Sequence, residues 1–371
     1  MNVVGIITEY NPFHNGHLHH INECRRLYPD SILVLVVNGY FLERGEVSIL
    51  SKEAKTKIAL ENAVDIVLEL PFIYGSQSAD IFASASVKIL NNFFVDSIVF
   101  GSESNDIKLL DKVAEIQLND NNYDLRVREY LNQGINYPTA MAKALDMKCD
   151  FNNPNDLLGI SYIKAIKSIN PKINAVSIRR TNSYHDILGV DSIVSASNIR
   201  EKLKNNECIE KFVPNTVSSY INDVDFDKLF MLLKYKIITD SDLSSYLTVD
   251  EGIEYRLLKY ISEVSSIDEL ITSVKTKRYT YNKINRMLIH VLVGLVKTDH
   301  AKLELSYIRI LGFNAFGKEY LNSIKKKLVI PSVVDISSLQ YSYELKAALL
   351  YGMLTELDVV KFENSKKPIQ K

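Results

Sequence analysis

The chain has 371 residues, enough for two or three domains at about 150 residues each. Apolar residues make up 46 % and charged residues 24 %, globular values that exclude long disorder as the main state. No apolar run approaches the ~18 residues that span a bilayer, the opening MNVVGIITEYNPF has no secretory-signal pattern, and Cys24, Cys149 and Cys208 lie too far apart for a zinc ribbon or a disulfide scaffold. The expectation is a cytoplasmic protein with no membrane partner. Net charge is −1, but residues 1–210 carry 21 basic and 26 acidic side chains, and residues 211–371 carry 23 and 19. A modestly basic second half favours polyanions.

Residues 3–8 read as a short buried strand, followed by the turn Asn11-Pro12-Phe13 and a helical pattern with Leu18, Ile21 and Leu27 on one side. Residues 32–37 are a second continuous apolar strand, of the kind a parallel sheet covers on both faces. A helix over Lys52–Ala63 precedes a strand over Asp65–Leu70, which Pro71 stops. A helix over Ala79–Leu90 precedes a strand over Ser97–Phe100 ending at Gly101. Residues 105–150 look mainly helical, Leu157–Ile169 is a helix, Ala175–Ile178 is read as the last strand, and another helix starts at Ile199–Leu203. This alternation is that of βαβ units and predicts an open, doubly wound α/β domain. Ligands in such sheets sit beyond the carboxyl ends of the strands. Beyond about residue 215, apolar residues recur at helical spacing in Leu229–Ile237, Ile253–Val264, Ile284–Val296 and Leu345–Leu357. The expected division is therefore an α/β domain over 1–215 and a mostly helical, basic domain over 216–371. Lys366–Lys371 are read as a frayed tail.

Two patterns carry chemistry. The first is His14-Asn15-Gly16-His17, which follows a strand and turn and opens a helix. Free backbone N–H groups and the positive end of the helix dipole favour phosphate there. Gly16 lets a nucleotide approach the backbone, and two imidazoles can donate hydrogen bonds to charge growing on a phosphate in transfer. The four letters alone also fit a surface cluster, since His19 and His20 follow. The second is Ser195-Ala196-Ser197-Asn198-Ile199-Arg200, where small hydroxyl residues can cap a helix and Arg200, one turn in, can reach a β- or γ-phosphate. No metal cage is visible at ligand spacing.

Together the two patterns resemble the nucleotidylyltransferase superfamily, marked by an H-x-G-H element and a late S-x-x-x-x-R element, with Asn198 standing where many members carry lysine. The resemblance narrows to the bacterial tRNA(Met) cytidine acetate ligases through Glu9-Tyr10-Asn11-Pro12-Phe13 before the first pattern, Gly39-Tyr40-Phe41-Leu42-Glu43-Arg44-Gly45-Glu46, Glu69-Leu70-Pro71, Gly101-Ser102-Glu103, Pro154-Asn155-Asp156-Leu157-Leu158-Gly159, Arg179, Tyr184-His185-Asp186 and Lys277-Arg278-Tyr279-Thr280. The likeness covers nearly the whole chain.

The resemblance implies a Rossmann-like catalytic domain with an open parallel sheet. It implies an enzyme that joins acetate to ATP, giving acetyl-adenylate and pyrophosphate, and passes the acetyl group to the exocyclic amine of the wobble cytidine of elongator tRNA(Met). The product would be N(4)-acetylcytidine. His14, His17 and Arg200 are the expected catalytic residues. ATP would lie against Ile7, Thr8, Glu9, Tyr10, Asn11, Pro12, Phe13, His14, Asn15, Gly16, His17, Leu18, His19 and His20, with Gly101, Asn155, Arg179 or Arg180, Ser195 and Ser197. Mg²⁺ would accompany ATP through phosphate oxygens. Lys275, Lys277, Arg278, Lys283 and Arg286, with Tyr279 and Tyr281 among them, form an acid-free basic stretch suited to RNA phosphates and unpaired bases. Lys325-Lys326-Lys327, and Lys234 and Lys236 around Tyr235, are weaker candidates. The residues 40–46 read as a loop that closes over the site. The alternatives are a small-molecule adenylyltransferase of the nicotinate-mononucleotide or phosphopantetheine type, and a non-catalytic RNA-binding protein.

Overall fold

The apolar runs of the first half form one sheet in the computed structural model, which describes residues 2–135, 137–146, 153–180, 193–276 and 279–371. The strands are β1 (Val3–Thr8), β2 (Ile32–Asn38), β3 (Ile66–Leu70), β4 (Ser97–Ser102), β5 (Asn174–Arg179), β6 (Ile310–Phe313) and β7 (Ile369–Gln370). They lie in the order β5-β4-β1-β2-β3-β6-β7. All neighbours are parallel except β3 and β6. Strand order reverses between β1 and β4, so the crevice at their carboxyl ends is where a ligand of a doubly wound sheet belongs.

The strands are apolar throughout because both faces are covered. In β2, Val34 and Val36 pack with the helices Ala79–Asn92 and Pro154–Ile169 on one face. Leu33, Leu35 and Val37 point the other way, toward the helices Asn15–Leu27, Lys52–Glu61 and Ala196–Lys204. Residues after 216 are mostly helical and carry two further cores. No helix among the described residues is long and apolar enough to cross a membrane.

The sheet is not confined to the first side of the expected boundary at 215/216. The chain returns from its helical part to lay β6 along β3, with Ile66 opposite Phe313. Nor is β5 the last strand or Lys366–Lys371 a frayed tail: Gly312 pairs with Ile369, and the Lys371 backbone N–H donates to the Phe313 carbonyl at 3.2 Å. Periodicity missed both strands because they are two to four residues long.

Buried charge also joins the halves. Lys52 is fully buried, with Nζ at 2.6 Å from Glu69, 2.5 Å from Glu344 and 3.0 Å from Glu363, and Arg309 pairs with Glu363. Two cations face three carboxylates, and burial pushes the Glu69 carboxyl up to about 7.

Candidate active site

β1 ends at Thr8, and the turn after it delivers His14 as the N-cap of the helix Asn15–Leu27. His14 Nδ1 accepts from the Gly16 backbone N–H at 3.0 Å, and His17 Nδ1 accepts from the His14 backbone N–H at 3.2 Å. Each ring thus spends its Nδ1 lone pair on the backbone, which places the proton of the neutral imidazole on Nε2. The two rings stack at 3.9 Å. Desolvation, reinforced by Arg180 and Arg200, pulls His14 down to about 3. Desolvation and the neighbouring His14 and Arg180 hold His17 well below its usual value. Both are neutral near pH 7 and offer Nε2–H donors. His20, pulled down to about 4 by desolvation, is bonded through Nε2 to the Val99 carbonyl at 3.1 Å.

Gly16 lines the cavity and also has a structural reason to lack a side chain. A Cβ there would lie 2.7 Å from His14 Cε1. The missing side chain makes room for the capping imidazole.

The helix Ala196–Lys204 supplies the opposite wall. Ser195 caps it by accepting from the Asn198 N–H at 3.2 Å. Arg200 Nη1 donates to the Asn11 carbonyl at 2.7 Å, and Nη2 donates to Glu46 Oε2 at 2.8 Å. At the ends of β4 and β5, Arg180 packs on Gly101, where a Cβ would meet its Cγ at 3.3 Å, and donates to Asn155 Oδ1 at 3.4 Å. Asn155 Nδ2 donates to Glu103 Oε1 at 2.5 Å. Arg180 is therefore the arginine anchored in the crevice; Arg179 also lines it but is exposed.

These groups surround one cavity of about 560 Å³, a size usual for small-molecule sites. Of the residues expected against ATP, Ile7, Thr8, Glu9, Tyr10, Asn11, His14, Gly16, His17, His19, His20, Gly101, Asn155, Arg179, Arg180, Ser195 and Ser197 line it, as does Arg200. Pro12, Phe13, Asn15 and Leu18 do not. Phe13 is fully buried against Tyr10, Leu18 packs on the core, and Asn15 donates to the Lys211 carbonyl at 3.0 Å. A helix shows one face to a cleft, so a continuous run cannot all reach it.

Sequence reasoning had not assigned Ala79, Phe82, Phe100 and Tyr162, which give the cavity an apolar wall, or Asn282, which reaches it from the second half. The wall residues read as ordinary core, and nothing local marks Asn282.

The loop after β2 contributes Leu42, Glu43, Arg44 and Glu46 to the cavity. Glu9 Oε1 accepts from the Glu43 N–H at 2.7 Å. From behind, Asn285 Nδ2 donates to the Arg44 carbonyl at 3.0 Å and Arg286 Nη1 donates to Glu43 Oε1 at 3.1 Å. Burial pushes Glu43 up to about 7.

The basic stretch is split. Lys275 is exposed, Lys283 is half-buried with Nζ 4.0 Å from the Tyr279 ring, and Tyr281 is exposed with its hydroxyl bonded to Asp268. Tyr279 is buried and donates to the Asp250 carbonyl at 2.7 Å, so its ring is not a stacking platform. Arg286 is turned inward onto Glu43 rather than outward to a phosphate. Lys277 and Arg278 lie outside the described residues, as do Cys149 and Tyr184-His185-Asp186. Elsewhere Lys325, Lys326 and Lys327 are exposed, and Tyr235 is 71 % exposed while Lys236 pairs with Asp240 at 2.8 Å.

Comparison with known proteins agrees over the full length. The family model for HIGH Nucleotidyl Transferase matches residues 1–367. A tRNA(Met) cytidine acetate ligase of Geobacillus sp. is 37 % identical, covering 100 % of each chain. One of Fusobacterium nucleatum is 41 % identical over 88 % of this chain and 85 % of that protein. The crystal structure of Thermotoga maritima TmcAL bound with alpha-thio ATP superposes with a TM-score of 0.87 at 28 % identity, covering 100 % of this chain and 99 % of that one. With this identity spread over both halves, and not only over the nucleotide-fold motifs, the chain belongs to the tRNA(Met) cytidine acetate ligase family of HIGH nucleotidyl transferases.

Proposed function

We propose that this chain activates acetate with ATP and transfers the acetyl group to the wobble cytidine of elongator tRNA(Met); its relatives are named tRNA(Met) cytidine acetate ligases, and a solved relative holds alpha-thio ATP. The observation that carries the reading is the pair of neutral Nε2–H donors on His14 and His17, facing Arg180 and Arg200 across a cavity at the sheet's switch point. In the first step an acetate oxygen attacks the α-phosphorus and pyrophosphate leaves. Negative charge grows on the phosphate oxygens, where fixed N–H donors in a desolvated cleft act most strongly. Arg180 and Arg200 take the remaining phosphate charge. In the second step the cytidine amine attacks the acetyl carbon, AMP leaves with the electron pair of the broken C–O bond, and the amine gives up one N–H proton to solvent or to the departing phosphate.

Among the described residues no three His, Cys, Asp or Glu side chains are grouped to hold a metal ion. A Mg²⁺ ion accompanying ATP would therefore be held through phosphate oxygens. RNA would approach over the N-terminal end of the helix Tyr281–Val293, where Tyr281 and Lys283 flank Asn282 at the cavity edge.

The test combines the protein, ATP, isotopically labelled acetate and bulk bacterial tRNA, followed by nuclease digestion and mass spectrometry. ATP-dependent labelled N(4)-acetylcytidine is the expected result. Acetate-dependent AMP release without label would reject the RNA substrate, and neither product from folded protein would reject the activity.

A further inference from the structure

We propose that Glu46 is a positioning residue for Arg200, and that the helix Tyr281–Val293 sets Glu46 through the loop that carries it. The proposal rests on the adenylation reading above and adds to it how the arginine is aimed. A guanidinium has five N–H donors. Two of those on Arg200 make short bonds, one to the Asn11 carbonyl at 2.7 Å and one to Glu46 Oε2 at 2.8 Å, and a third makes a long one to Ser197 Oγ at 3.5 Å. The plane of the group is thereby fixed, and donors remain for a phosphate. A long side chain held at two points meets its transition state already ordered.

What fixes Glu46 lies outside the nucleotide half. The Leu42 N–H donates to the Glu46 carbonyl at 2.9 Å, and the Gly45 N–H donates to the Leu42 carbonyl at 2.9 Å, closing the loop into a tight turn. Gly45 has φ +76°, and a Cβ on it would lie 2.5 Å from the Arg286 backbone nitrogen. The turn thus rests directly on the helix backbone. Asn285 and Arg286 bolt it there through the Arg44 carbonyl and Glu43. The back of the loop touches the helix on which the basic stretch continues, and its front carboxylate holds Arg200.

The Glu46 charge has a cost, because a carboxylate beside a triphosphate repels it. The two roles separate in acetate-dependent ATP–pyrophosphate exchange measured without RNA. E46Q keeps an acceptor oxygen and removes the charge, so kcat stays within about twofold and the KM for ATP falls. E46A frees the guanidinium, so kcat falls about tenfold. In the R200A background E46A adds less than about twofold, because the group it positions is gone. R286A, which changes no cavity-lining side chain, lowers kcat in the same non-additive way and serves if E46A does not fold. E46A turnover within twofold of the parent, equal loss in E46A and E46Q, or losses that multiply with R200A would each overturn the proposal. If the parent protein shows no acetate-dependent exchange, the adenylation reading falls instead. The cycle is then read as ATP affinity by calorimetry, where coupling between positions 46 and 200 supports the proposal and additivity overturns it.

Discussion

Replacing His14 separates its two duties. As an N-cap it satisfies the Gly16 N–H, and losing a cap costs about 1 kcal/mol. As a donor to the reacting phosphate, its loss costs about 10²–10³ in kcat, or roughly 3–4 kcal/mol of barrier. The second effect exceeds the first about threefold, and asparagine distinguishes them. Asparagine is among the best N-caps, yet its amide stops short of the position of the imidazole Nε2. H14A should therefore melt about 2 °C lower and lose exchange activity by two to three orders of magnitude. H14N should recover the melting temperature and not the activity. The assay is acetate-dependent ATP–pyrophosphate exchange beside a thermal melt of each variant. If H14N retained exchange within about fivefold of the parent, the Nε2–H donor would have no part in the reaction.

Three further outcomes are expected. His290 is fully buried, its Nε2 bonded to the Ser76 carbonyl at 2.8 Å, and desolvation pulls it down to about 4. Since its folded value lies below its unfolded one, its stabilisation is complete above pH about 6.5 and lost as pH falls through about 4; urea midpoints from pH 7 to 4 should fall less steeply in H290Q. In the buried cluster, K52A should destabilise by about 3–5 kcal/mol because it leaves three buried carboxylates with Arg309 as their one cation among the described residues, whereas E69Q should cost about 1 kcal/mol or less, both read by urea unfolding. K275A should weaken tRNA binding and flatten the slope of log K against log salt by about 0.7–0.9, while Y279A should cost about 3 kcal/mol of stability and Y279F should leave tRNA affinity unchanged.

The parts of the fold visible in the sequence are those dictated by local pattern. Uninterrupted apolar runs such as Ile32–Val37 demand a sheet buried on both faces, and the helix after β1 follows from the spacing of Leu18, Ile21 and Leu27, although His14 as its cap does not. The crevice follows from strand order, which the βαβ rhythm implies. Long-range pairing was not visible. No local signal tells Ile310–Phe313 that it will lie antiparallel to β3, because a four-residue strand has too little period to register. Charge is equally ambiguous: Lys52 is marked only as the start of a helix and Arg286 as a candidate for RNA phosphate, and partners 292 and 243 residues away, Glu344 and Glu43, show that both are turned inward. The absence of a side chain at Gly16 is legible in the sequence, but the crowding by the His14 ring that also requires it is seen only in three dimensions.

The antiparallel seam between β3 and β6 also sets a schedule for synthesis. Residues Ile66–Leu70 leave the ribosome about 240 residues ahead of the segment that will cover their edge. At roughly 5–20 residues per second the nascent sheet waits on the order of 12 to 48 s with that hydrogen-bonding edge bare. An apolar, unpaired edge recruits other strands. A ribosome that stalls in the helical half therefore leaves behind a sticky intermediate, which makes the completion of translation, rather than the folding of the nucleotide half, the event that renders the sheet safe.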